Sequence, residues 1–371
     1  MMLTGLATAL LGPILPLLSL HWRLQDQQSG VLLLAQFCGA FTGGLTVSKH
    51  LRRSLTLGLA AGALGFAGFA VAPGLPIACI ALYIGGWGAG QVITAGNIVA
   101  GRRYGARRGS ALALLNFSWS FGAMLSPLLA AWLTPHFALR TLILAFAACF
   151  AVALAGLLIE FSGHAPEVLS ASDNAATSES RLALAPYIYF ATLLFLYGGI
   201  ETSLSGWLTT FALRYGDRSL VLSEYTTLVL WASLTVGRAL SSLLLLHIGE
   251  TRLQRAGLIV TAACTVGLAT AHTSIVITIF SILLGLSLAP FFPATFSLLM
   301  GDKPSARQAG VVLSMSGLGA AILPSLMGVV STHSGSLQIA LAIPLAAAVI
   351  LLGLSLFPPV NPAPETARTA A

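Results

Sequence analysis

The sequence predicts an all-α membrane protein with twelve transmembrane helices. Its composition is the first reason: 57% of the 371 residues are hydrophobic, only 8% are charged, and the mean hydropathy is +0.91, whereas a soluble domain has about a quarter of its residues charged. The spacing of the charges is the second reason. Asp, Glu, Lys and Arg are absent from 54–101, 256–301 and 308–364, and each interval has room for two crossings of about 20 residues.

Turn-forming residues divide these intervals, as Pro73-Gly74-Leu75-Pro76 does in the first of them. The same reading of the remaining apolar stretches gives twelve spans, numbered in chain order: 2–20, 28–48, 54–72, 76–100, 109–133, 139–159, 184–212, 224–247, 256–271, 275–299, 309–331 and 337–357. The segments lack the alternation of polar and apolar residues that marks a membrane β-barrel. Helices satisfy their own backbone hydrogen bonds in lipid.

Lys and Arg are distributed unequally between two sets of loops. The loops after the even-numbered spans, with the C-terminal tail, contain most of the 18 basic residues, and the opposite loops contain Arg23, Arg140, Arg214 and Arg218. The positive-inside rule then predicts that both termini are cytoplasmic. The net charge of +7 is therefore an orientation signal rather than a sign of nucleic-acid binding. We expect a monomer, multi-pass in a bilayer such as the bacterial inner membrane.

The two halves of the chain repeat the same pattern. Ala106-Arg107 recurs as Ala306-Arg307, and Gly122-Ala123-x-x-x-Pro127 recurs as Gly319-Ala320-x-x-x-Pro324. The repeat predicts two pseudo-symmetric bundles of six helices. The predicted organisation is a first bundle at 1–161, a polar cytoplasmic linker at 162–181, a second bundle at 182–358 and a cytoplasmic tail at 359–371.

Three short motifs accompany this arrangement: 198–207, with Glu201 and Trp207, Val236-Gly237-Arg238, and Pro290-Phe291-Phe292-Pro293. Together with the duplication they resemble the fucose, galactose and glucose permease group of the major facilitator superfamily. The resemblance implies the MFS fold, with a cargo site between the halves near the bilayer midplane and halves that rock around it. It also implies the cotransport of a sugar with protons, as in many members of that group.

Glu201 is the acid that lies well inside a span, and an intramembrane acid is a candidate functional residue by default. It could accept hydrogen bonds from sugar hydroxyls, carry the coupled proton, or be a structural carboxylate. Permeases of the resembled group often have an acid in span 1 or span 4, where this chain has Thr8, Gln91 and Asn97. A facilitator without proton coupling therefore stays open.

Arg238 is the basic residue inside a span. Its position is about 21 Å from the outer end of span 8, near the cytoplasmic third, whereas Glu201 falls in the outward half. The sequence therefore predicts that Arg238 contacts Glu250 or helix-terminal carbonyls at a cytoplasmic gate, with Arg102 and Arg103 nearby, rather than Glu201. A place for Arg238 in the substrate path is the alternative.

Uncharged polar and aromatic residues at mid-span depths are the other candidates for cargo binding. Amides both donate and accept hydrogen bonds, and aromatic rings offer an apolar face to a sugar, although such residues also join helices in membranes. With Glu201, the predicted binding residues are Gln36, Gln91, Asn116, Trp119, Tyr197, Trp207, Trp231, Ser287 and Phe291. Pro290 and Pro293 are expected to bend span 10.

These features favour a secondary transporter that moves a small neutral solute, a monosaccharide, by proton symport. A proton-coupled exporter of drugs or amphiphiles is the alternative that keeps the fold. An enzyme would need paired acids, a nucleophile with its base, or metal ligands at one depth, and Glu201 has no such partners in the sequence. The four cysteines lie in apolar spans, so neither a metal site nor a disulfide is expected, and the proton gradient takes the place of a cofactor.

Overall fold

A computed structural model describes residues 1–48, 50–103, 108–163, 182–216, 220–244, 248–301 and 306–357. Each predicted span corresponds to a helix in this part of the chain, and α1–α12 are numbered to match the spans. The helices are α1 (Met2–Trp22), α2 (Asp26–Leu45), α3 (Leu51–Ala70), α4 (Leu75–Arg103), α5 (Arg108–Leu133), α6 (Leu139–Gly163), α7 (Leu184–Tyr215), α8 (Leu220–Leu244), α9 (Glu250–Ala269), α10 in two segments (Ser274–Leu288 and Phe291–Gly301), α11 (Ala306–Ser334) and α12 in two segments (Leu337–Ala340 and Ala342–Leu356).

The predicted all-α membrane fold is confirmed. Within the described ranges, nine helices are long and apolar enough to cross a membrane, and α2, α8 and α9 are the others. The linker beyond residue 163 and the tail predicted at 359–371 lie outside the described residues.

The outer surface of the bundle is apolar. Large aliphatic side chains such as Leu64, Val152, Ile159 and Ile275 are each more than 70% exposed. Exposed aliphatic area on this scale is unfavourable in water and is what a surrounding hydrocarbon phase accommodates.

Two glycines of the internal repeat occupy equivalent positions in the two halves. A Cβ atom at Gly122 of α5 would lie 2.0 Å from the carbonyl oxygen of Met2 in α1, and one at Gly319 of α11 would lie 1.7 Å from that of Phe195 in α7. Only glycine permits backbones to approach this closely. The duplication in the sequence thus corresponds to matching helix contacts, α1 with α5 and α7 with α11.

Among the described residues, the main contacts between the two halves join α2 with α11, α5 with α8, and α1 with α7. The break between the segments of α10 falls at Ala289 and Pro290, as predicted, because proline has no N–H for the helix ladder. Phe291 begins the second segment, which brings its ring toward α7.

Candidate functional site

Arg238 of α8 donates hydrogen bonds to both halves of the molecule. Its Nη1 donates to Ser120 Oγ of α5 at 2.7 Å. Its Nη2 lies 3.3 Å from Glu201 Oε1 and 3.4 Å from the Tyr197 hydroxyl, both on α7. The Arg238 and Glu201 side chains are 21% and 12% exposed, so this ion pair is largely shielded from solvent. With Trp119, these four residues are called the central cluster.

The prediction that Arg238 lies too deep to meet Glu201 is wrong. Along the helix axes, Arg238 is about 27 Å from the N-terminus of α8 and Glu201 about 21 Å from the C-terminus of α7, and these two helix ends lie at the same end of the molecule. Side chains on a helix lean toward its N-terminus. Because α7 and α8 run in opposite directions, the two side chains lean toward each other. They therefore meet although their backbones lie at different depths.

The predicted gate contact between Arg238 and Glu250 is also wrong, because the Arg238 guanidinium donates its hydrogen bonds to Ser120, Tyr197 and Glu201 instead. Glu250 is the first residue of α9. The side chains of Arg102 and Arg103 lie outside the described part of the chain, so their place in a cytoplasmic gate stays a prediction.

Two tryptophans flank Arg238. The Arg238 guanidinium carbon lies 5.9 Å from the ring centroid of Trp119, within the range of a cation–π contact. Trp119 packs edge-to-face on Trp231, with 5.9 Å between ring centroids. In the described part of the molecule, the indole N–H of Trp231 and the Nε–H of Arg238 are buried without an acceptor. A buried donor without an acceptor is costly, so these two atoms are poised to bind an oxygen of a water molecule or of a cargo molecule.

Tyr197 is fixed by an aromatic stack. Its ring lies 5.1 Å from that of Phe291, with an interplanar angle of 11°, and both side chains are buried. Phe291 holds this position because α10 restarts there after its break. The stack therefore holds the Tyr197 hydroxyl toward Arg238 and Glu201.

Two of the three predicted amides, Gln36 and Gln91, join helices in the first half of the molecule. Gln36 Nε2 donates to the Ala7 carbonyl at 2.9 Å and so ties α2 to α1. Gln91 Nε2 donates to Thr46 Oγ1 at 3.0 Å. The Oε1 atom of Gln91 is buried with no donor among the described residues, so it retains an unused acceptor.

Two further predicted binding residues have interhelical bonds instead. The indole N–H of Trp207 donates to the Pro324 carbonyl at 2.9 Å, and the buried ring packs α7 against α11. The Ser287 hydroxyl lies 2.8 Å from that of Thr261, which joins α10 to α9. We therefore leave Trp207 and Ser287 out of the candidate site.

Ser120 is one of the uncharged polar residues at mid-span depth, but it was not selected among the predicted binding residues. Asn116 lies one turn before it on α5, with an exposed side chain, and residues four apart share a helix face. The pattern Asn116, Trp119 and Ser120 was therefore the available signal. Nothing in the sequence indicated that Ser120 would accept a hydrogen bond from the other half.

The sequence profile of the Major Facilitator Superfamily matches residues 1–315, which is most of the chain. The chain belongs to the Major Facilitator Superfamily. It is therefore a multi-pass membrane transporter of the MFS, and its central cluster lies where its two halves meet. No curated protein sequence matches the chain.

Solved MFS structures share the fold over nearly the whole chain. A D-xylose-proton symporter superimposes with a TM-score of 0.77 at 15% identity, covering 97% of this chain and 95% of that one. A point mutant of the nucleoside transporter NupG gives 0.74 at 13% identity and covers 96% and 97%. FucP in the outward conformation gives 0.63 at 18% identity and covers 97% and 98%. At these identities the likeness is one of fold.

Proposed function

We propose that this MFS transporter carries a monosaccharide into the cell together with a proton, by alternating access, and that Glu201 carries the proton. The observation that supports this most strongly is the ion pair of Glu201 with Arg238. An acid and a base enclosed between the two halves of a transporter form a unit whose net charge changes when one proton binds.

Protonation of Glu201 changes the hydrogen bonds of the Arg238 guanidinium. When Glu201 is ionised, its carboxylate accepts the Nη2 hydrogen bond, and the guanidinium is shared between Glu201 and Ser120. When a proton binds to a carboxylate oxygen, the charge attraction is lost and the guanidinium donors become available to a cargo oxygen. Since Ser120 is in the first half and Glu201 in the second, this change acts across the interface that must open and close.

A sugar fits the groups around the pair. Hydroxyl oxygens can accept from the unfilled N–H groups of Trp231 and Arg238. The Trp119 ring offers an apolar face of the kind on which sugar rings stack. The fold likeness to a D-xylose-proton symporter supports this cargo class.

A nucleoside is the second candidate cargo, favoured by the fold likeness to the nucleoside transporter NupG. A nucleoside contains a sugar and a flat base, and tryptophans can stack on that base. Both cargo classes therefore belong in the same assay.

The test is uptake of labelled monosaccharides and nucleosides into proteoliposomes, with and without an inward proton gradient. We expect uphill accumulation of a sugar by the wild type. Glu201→Gln should abolish accumulation while leaving exchange of internal for external sugar intact, and Glu160→Gln, which changes an exposed acid at the end of α6, should behave as the wild type.

Three results would decide against parts of this proposal. Accumulation that survives Glu201→Gln removes Glu201 as the proton carrier. Downhill uptake that ignores the gradient in the wild type indicates a facilitator. Accumulation of nucleosides alone replaces the sugar assignment.

A further inference from the structure

A second ion pair joins the two halves at one end of the molecule. Both Nη atoms of Arg214, in the last turn of α7, donate to the carboxylate of Asp26, the first residue of α2. Ser331 of α11 donates to the same carboxylate. The backbone N–H of Gln27 donates to Thr332 Oγ1 of α11 at 2.8 Å. These five residues are called the end latch.

The end latch is built to be strong when it is closed. Asp26 is only 9% exposed, and two-point binding of a carboxylate by arginine is among the stronger hydrogen-bonded arrangements. The N-terminus of α2 favours the negative charge and the C-terminus of α7 favours the positive one. The backbones also touch, because a Cβ at Gly328 of α11 would lie 2.4 Å from the carbonyl oxygen of Asp26.

Solvent reaches one side of the end latch, which allows its ion pair to separate. The Arg214 side chain is 40% exposed, so water reaches the ion pair from one side and can replace its bonds. This end carries the α1–α2 and α7–α8 connections, which the distribution of Lys and Arg predicts to be outside the cell.

One helix connects the end latch to the central cluster. α7 carries Glu201 near its middle and Arg214 near its end, thirteen residues and about 20 Å further along. α7 is one continuous helix from Leu184 to Tyr215, so a tilt of the whole helix that withdraws Arg214 from Asp26 also shifts Glu201 relative to Arg238.

We propose that the end latch is the outer gate of the transport path, and that α7 links its opening to the ion pair of the central cluster. The link through α7 rests on the function proposed above, whereas the gate itself is tested without any cargo. In the structure described here the gate is closed.

The test is the accessibility of a cysteine placed behind the latch. Leu33 is 1% exposed, lies two turns after Asp26 on α2, and faces Gly206 of α7. Leu33→Cys is introduced into a chain whose four native cysteines are replaced, and right-side-out vesicles are treated with a membrane-impermeant maleimide. We expect slow labelling of this protein.

Asp26→Asn keeps the shape of the side chain and removes its charge. We expect it to speed labelling by about tenfold, because it leaves Arg214 without its counterion. Ser331→Ala, which removes one donor, should give a smaller increase. Asp26→Arg combined with Arg214→Asp should recover part of the slow labelling, because the reversed pair is attractive but each charge lies at the unfavourable end of its helix. The control is Arg23→Gln, an exposed change of charge at the same end of the molecule, which should leave the rate as it was.

Two outcomes would overturn the gate. One is a labelling rate that Asp26→Asn and Ser331→Ala leave unchanged in protein that elutes as a single species. The other is a charge-reversed double variant that labels as fast as Asp26→Asn. Because no cargo is present, neither result depends on whether a sugar or a proton is transported.

Discussion

At the scale of single residues, the main feature is that residues of both halves contact the guanidinium of Arg238. One guanidinium contacts an acid and a phenol in the second half, and a hydroxyl and an indole in the first half. Arginine suits this role because its planar fork offers five donors in fixed directions. The cost of placing this charge between helices is offset only while its partners stay in place.

The strength of the ion pair can be measured without transport. We expect Glu201→Gln and Arg238→Gln each to lower the thermal stability of the protein in detergent, because each leaves a buried charge without its counterpart. The double variant should recover part of the loss, with a coupling of about 1–3 kcal/mol. If the two losses simply add, the residues do not stabilise each other.

At the scale of elements, close contacts between glycines and neighbouring backbones set the packing within each half. Gly122 and Gly319 are equivalent, and each lets an odd-numbered helix touch its neighbour. These contacts are within a half, whereas the latch and the central cluster join the halves. Backbones also approach closely between the halves, at Gly12 beside Ser205 and at Gly328 beside Asp26, so rocking of the two bodies must separate these contacts together with the latch and the central cluster.

A glycine substitution tests this arrangement. Gly319→Ala should destabilise the protein by about 1–3 kcal/mol, because the added methyl group would overlap the Phe195 carbonyl and force α7 and α11 apart. Gly156→Ala, in open space on α6, should be neutral or stabilising because alanine favours a helix. Thermal unfolding of both variants in the same detergent makes the comparison, and equal effects would contradict it.

At the scale of the whole molecule, the fold was predictable and the site only partly so. The charge-free intervals and the repeated Gly-Ala-x-x-x-Pro pattern predict twelve spans and two halves because the bilayer imposes helix length directly. Glu201 was identified by the cost of its charge in lipid. Its partner was missed because helix positions give the depth of a backbone and not the direction of a side chain.

The roles of Trp207, Ser120 and Asp26 were unpredictable for a related reason. Each depends on which residue of a distant helix faces it: the Pro324 carbonyl, Arg238 and Arg214 respectively. Hydrophobic length and helix position fix where a residue lies along its own helix, but not which residue of a distant helix faces it. The same limit applies to cargo identity, which the unfilled donors constrain only to a molecule with acceptor oxygens.

The measurement that tests the account most directly is proton movement driven by the cargo. Proteoliposomes that enclose a pH-sensitive dye, with no initial gradient, receive an excess of the transported sugar outside. Wild-type protein should acidify the lumen as the sugar enters. In vesicles that also contain unlabelled sugar, Glu201→Gln should exchange it for labelled external sugar without acidification. Sugar entry through the wild-type protein at constant internal pH would contradict proton symport through Glu201.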